Sequence, residues 1–215
     1  MSSLIQFILF GVAVAAIGAG VYFLKRKQSP TPAPIPVPVT GWAFQYSPNM
    51  PAALPQDPNG NYYIDFPAQD GVHYVIENPP AMTPGQLITM RYSVSGVGTI
   101  YSVQDGAIAS VTLYMQRKGD DLSGVGPMQQ YRYFGKGNQL TGQGDFIITC
   151  QLAGDQWGDV FGSKGTDHPA EFAACIANAG AVGFVFGNPG AGATGHGAAV
   201  KNGTARLTLK EFSIK

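Results

Sequence analysis

The chain has 215 residues, 13 basic and 13 acidic side chains, a formal net charge of zero, and 29 Gly with 16 Pro. An apolar content of 45 % without net charge excludes disorder by composition. The charge balance argues against a nucleic-acid binder, which needs cations to displace counterions, and two Cys exclude a disulfide-rich scaffold.

Residues 4–24 read LIQFILFGVAVAAIGAGVYFL, an uncharged run that as a helix is about 31 Å long, the thickness of a bilayer's hydrocarbon core. Leu4, Phe7, Phe10, Val14, Ile17, Val21 and Leu24 lie along it, and apolar residues surround the helix on all sides, unlike a surface-lying amphipathic helix. Lys25, Arg26 and Lys27 end the span. A cleaved signal peptide would have cations before the run and a shorter apolar core, so residues 1–27 read as a retained single-pass membrane anchor. The three cations place the C-terminal side in the cytoplasm, or inside a virion, by the positive-inside rule; display outside the cell is the alternative. Gly11 and Ala15, and Ala16 and Gly20, have the spacing that lets two such helices approach as a homo-oligomer.

Residues 28–40 form a stalk. Pro30, Pro32, Pro34, Pro36 and Pro38 fix φ at every second position and favour a polyproline II rod of about 30 Å.

Residues 41–215 read as one β-rich domain carrying all 13 acidic residues but only ten of the basic ones. Short apolar or alternating runs bounded by Gly, Pro, Asn and Asp predict strands over 42–46, 62–66, 72–77, 86–95, 99–103, 109–116, 130–134, 144–152, 182–187 and 204–214. Within 205–212 the odd positions are apolar until about Lys210. Ten short strands predict an antiparallel β-sandwich, jelly-roll-like in form. One helix interrupts it over 166–180, with Asp167 as cap, Pro169 in the first turn, Phe172, Cys175, Ile176 and Ala179 on one face, and Gly180 as the stop. The glycine-rich stretch 188–197 lacks the Lys-Ser/Thr of a phosphate-binding loop and reads as a connection.

Chemistry is thinly signalled. His73, His168 and His196 have no metal-ligand spacing, and no nucleophile elbow is present. Cys150 and Cys175 read as buried thiols, with pairing in an oxidising compartment as the alternative. The carboxylate pairs Asp120–Asp121 and Asp155–Asp159 read as turn formers; a loop calcium site is the functional alternative, and no other cofactor is signalled. Flat rings beside polar groups suit a sugar face, which selects Trp157, Tyr131 and Tyr133 with Asp120 and Asp121. His196, flanked by glycines, joins them as a candidate ligand-binding residue; the competing reading puts most of these rings in the core.

The segments LYMQRKGDD (113–121), YRYF (131–134), QW (156–157) and VGFVFG (182–187) with GHG (195–197) resemble pieces of a β-sandwich domain found in uncharacterised bacterial and phage proteins. More distantly the region of about 99–214 is similar to carbohydrate-binding-module jelly rolls. The resemblance implies a binding or structural domain and no enzyme. The expectation is therefore a membrane-anchored sandwich that binds or assembles, possible partners being the bilayer, a protein shell such as a capsid, or a glycan. A surface-displayed carbohydrate-binding module is the alternative, and a glycan hydrolase ranks last, since it needs a desolvated carboxylate in a cleft.

Overall fold

The computed structural model describes residues 41–189 and 194–215. The expected membrane anchor (1–27) and proline-rich stalk (28–40) lie outside the described residues. Among the described residues no helix is long and apolar enough to cross a membrane.

Eleven strands are described: β1 (Ala43–Gln45), β2 (Tyr62–Asp65), β3 (Tyr74–Glu77), β4 (Leu87–Gly96), β5 (Thr99–Ser102), β6 (Ser110–Arg117), β7 (Arg132–Gln139), β8 (Gly144–Gln151), β9 (Ala179–Gly187), β10 (Ala198–Lys201) and β11 (Ala205–Ile214). They form a five-stranded sheet ordered β1-β3-β9-β6-β7, a four-stranded sheet ordered β2-β11-β4-β8, and the pair β10-β5. Every pairing is antiparallel. Both larger sheets feed one hydrophobic cluster: Val111, Leu113, Phe184 and Phe186 come from the first, and Ile88, Met90, Tyr92, Leu207 and Leu209 from the second. The architecture is thus mainly β and sandwich-like. Trp42 joins the layers, its ring 5.0 Å from Phe212 of β11 and 5.5 Å from Phe184 of β9.

All ten predicted strands are present, with differences that have local causes. β7 begins only at Arg132, because Gly126–Tyr131 winds as a 3-10 turn with Pro127 in its first positions. β10 was not predicted: its four residues alternate poorly and sit against the glycine-rich stretch. In β11 the register shifts between Leu209 and Glu211, so Phe212 and Ile214 return to the core side opposite Met90 and Ile88.

The helix α1 spans Pro169–Ala177 and buries Phe172, Cys175 and Ile176 as expected. Its ends differ from expectation. His168 holds the N-cap position without a side-chain bond, and the Asp167 carboxylate accepts from the Lys164 amide instead (2.8 Å). Asn178 closes the helix, and Ala179 and Gly180 already belong to β9.

β8 forms one edge of the four-stranded sheet, and side chains occupy its outer backbone groups. Asn138 Nδ2 donates to the Ile147 carbonyl (3.2 Å), Gln156 Oε1 accepts from the Gln151 amide (3.0 Å), and Trp157 Nε1 donates to the Gln151 carbonyl (2.8 Å).

Strand register gives the domain two distinct ends. β1 starts opposite Ile76 and runs toward the end marked by Ser110, Gln139 and Gly187. The chain therefore comes into the sandwich from the end marked by Arg117, Arg132 and Ala179, here called proximal; the other end is distal.

Candidate functional site

The predicted sugar face does not assemble. Trp157 is wholly buried: its indole N–H is spent on Gln151, and its ring lies where a Cβ on Gly135 would come within 3.1 Å. Tyr133 is also wholly buried, edge-on to Phe172 at 5.0 Å. Neither ring offers a face to a sugar, which corrects the expectation for both. Tyr131 is half-buried, with the Arg117 guanidinium 4.6 Å from its ring centroid.

The adjacent aspartates part company. Asp121 is exposed and accepts from the Ser123 amide (2.8 Å), an ordinary turn. Asp120 has a fully buried side chain. Its Oδ2 accepts from Gln116 Nε2 (2.9 Å) and lies 3.0 Å from Arg132 Nε, while Oδ1 accepts from the Leu122 amide (2.9 Å). Arg132 Nη2 donates to the Leu122 carbonyl (3.1 Å). The pair thus pins the loop after β6 onto the sheet.

Around this pair stands a row of rings on the outer face of the five-stranded sheet. Tyr46, Tyr74, Tyr114 and Phe134 follow one another with centroids 5.5, 5.1 and 5.6 Å apart. Tyr46 adopts φ = +56°, unusual for a bulky residue. Burial is the main cause raising the ionisation of Tyr46, Tyr74 and Tyr114 above the ordinary phenol range, and Asp120 adds to it while Arg132 opposes it. All three stay neutral phenols at physiological pH, suited to donating hydrogen bonds. Sequence reasoning missed this cluster; its one signal was Arg132 between two aromatics, close after a double aspartate.

The Asp155–Asp159 pair also divides. Asp155 is exposed, whereas Asp159 is buried and accepts from the amides of Phe161 (2.9 Å) and Ser163 (3.0 Å) and from Gln130 Nε2 (3.1 Å). The buried carboxylates are thus occupied by internal donors. Among the described residues no group of three or more His, Cys, Asp or Glu is placed to hold a metal ion.

Cys150 and Cys175 are free and buried. Burial pushes the Cys175 thiol up to about 12 and raises that of Cys150, so neither is a nucleophile at neutral pH. The disulfide alternative is corrected accordingly.

His196 is exposed. Its flanking glycines serve packing: a Cβ on Gly195 (φ = +81°) would meet Tyr74 Oη at 2.5 Å, and one on Gly197 (φ = +97°) would meet His73 Nε2 at 2.7 Å. His73 Nδ1 lies 3.1 Å from the Gly195 carbonyl, joining this turn to the start of β3.

The distal end carries a cleft of about 300 Å³ between the β4–β5 and β7–β8 turns. Val94, Ile100 and Leu140 form its floor, Ser95, Thr99 and Gln143 contribute polar groups, and every lining residue is uncharged. Val97 is 80 % exposed beside it. Such a cleft suits an uncharged ligand or a neutral loop of a partner, since it has apolar area for contact and hydroxyl and amide groups for orientation. None of its lining residues was among the predicted site residues, because serines, threonines and glycines in turns carry no distinguishing pattern. No protein-family model, no curated protein and no solved structure matches the chain.

Proposed function

We propose that the chain is a single-pass membrane-anchored jelly-roll sandwich that works without catalysis, as a binding or assembly module presenting its distal end to a protein partner. A structural protein that links a virion membrane to its shell is the concrete form of this reading. One observation supports it most: the uncharged cleft opens at the end of the sandwich opposite the one where the chain comes in. In this reading the distal end is the one that meets the partner. The jelly-roll assignment draws on connectivity, since the links β2–β3, β3–β4, β7–β8 and β8–β9 each pass from one sheet to the other. Lys25, Arg26 and Lys27 favour a domain on the cytoplasmic or virion-internal side.

The second reading, a displayed carbohydrate-binding module, draws on the same cleft, whose neutral hydroxyl and amide lining suits a polyol. It now needs a site other than the buried rings.

Four measurements test these readings. The full-length protein should stay with membranes through a carbonate wash, and release would remove the anchor. A cysteine replacing Ala33, with Cys150 and Cys175 buried, should be shielded from an impermeant thiol reagent until the membrane is opened. Val97→Asp should abolish retention of the particle or shell partner without changing thermal unfolding. Glycan-array binding weakened by Gln143→Ala would instead favour the carbohydrate reading.

A further inference from the structure

The proximal end carries an apolar pair that the distal cleft does not account for. Phe161 is 71 % exposed and Val125 is 72 % exposed. Phe161 is held out by design of the backbone. The segment after Trp157 folds back on itself, with Gly158 paired to both Phe134 and Lys164, and β7 runs antiparallel to it, so the turn points to the proximal end. The Asp159 amide donates to the Ser163 carbonyl (2.8 Å), the Gly162 amide donates to the Asp159 carbonyl (3.0 Å), and the buried Asp159 carboxylate fastens both sides of the tip. Val125 sits on the neighbouring loop, joined to this turn by the bond from Gln130 to Asp159. A Cβ on Gly124 would lie 3.6 Å from Val160 Cγ2, so the two loops touch just behind their exposed side chains.

We propose that the Phe161 and Val125 tips rest in the surface of the lipid bilayer to which the chain is anchored. This inference rests on the membrane-anchor reading above. Residues 25–40 link the apolar run to Gly41 and reach about 50 Å at most as polyproline II. The described chain starts at Gly41, and β1 then runs away from the end that carries the two tips. Tethering keeps the domain at high local concentration over the surface. Burying one phenyl ring then favours the resting state about ten- to a hundredfold. The exposed charges nearby balance, Lys118 and Lys164 against Asp121 and Asp167, so the contact is apolar and independent of lipid charge.

The test uses the full chain reconstituted in phosphatidylcholine vesicles. Val125→Cys carries an environment-sensitive dye, Cys150 and Cys175 being buried, and Val97→Cys labels the distal end for comparison. The dye at position 125 should shift to the blue and be quenched by spin-labelled lipid at least threefold more than the dye at position 97. Phe161→Asp should abolish that difference, and adding phosphatidylserine should leave it unchanged. A dye at 125 as wet as that at 97, on protein that survives a carbonate wash, overturns the contact while leaving the anchor standing. Protein lost in the wash overturns both. Shielding without lipid quenching, growing with protein density, overturns the bilayer contact in favour of a second copy of the chain.

Discussion

The central strands β6 and β9 of the five-stranded sheet are buried on both faces, while the four-stranded sheet has one dry face and one wet one. In β6 seven of eight residues are buried, and Tyr114, Ile76, Ala181 and Val185 make a second apolar cluster on the side away from the main core. The outer face of the four-stranded sheet instead carries Tyr63, Asp65, Arg206, Arg91 and Glu211, with Asp65 and Arg206 bridged at 2.6 Å and Arg91 and Glu211 at 3.3 Å. The outer face of the five-stranded sheet thus has the Asp120–Arg132 pair and that of the four-stranded sheet has two pairs, and buried and exposed pairs do different work. Asp120 and Arg132 are shut away from water and hold a loop, whereas Asp65 and Arg206 sit in solvent, where the guanidinium also lies 3.9 Å from the Tyr63 ring centroid.

Breaking the buried pair should have the largest effect. Asp120→Ala leaves Arg132 charged and without its counter-ion, so the free energy of urea unfolding should fall by about 3–5 kcal/mol. An effect below that of an exposed pair would refute the contrast between the two faces. Trp157→Phe removes the indole donor that holds the Gln151 carbonyl and should cost about 1–2 kcal/mol by the same assay. Glu77 gives a pH signature of similar or smaller size. Burial pushes its carboxyl up to about 7 from an ordinary 4.5. Between those values the folded form keeps a proton that the unfolded chain has lost, so stability falls as pH rises from 4.5 to 7 and then levels off. Solvent screening at a half-buried site limits the fall to about 1–2 kcal/mol. Glu77→Gln should therefore stabilise the protein at pH 8 and leave it unchanged at pH 4. Smallest of all, Asp65→Ala should cost below about 1 kcal/mol, and 0.5 M salt should shrink that further.

The same contrast explains what could be read in advance. A strand with one wet face announces itself by alternation, and 205–209 was legible for that reason. The break near Lys210 was visible too, and the register shift there is its cause. β6 and β9 were recognisable as strands but not as doubly buried ones, because a continuous apolar run says nothing of what covers its second face. The candidate site was hardly legible. Asp120 and Asp121 are identical neighbours whose fates depend on where the Arg132 side chain reaches. Trp157 between two aspartates has the composition of a binding ring, and only the position of the β8 edge reveals its structural task. The cleft is made where two turns distant in sequence meet, so no local pattern marks it.

That β8 edge has a consequence for crowding. An uncovered edge strand invites the same strand of another copy to pair with it and propagate. Here Asn138, Gln156 and Trp157 already occupy backbone groups that such pairing would use. Two copies pressed together can therefore pair through this edge only by first displacing those side chains.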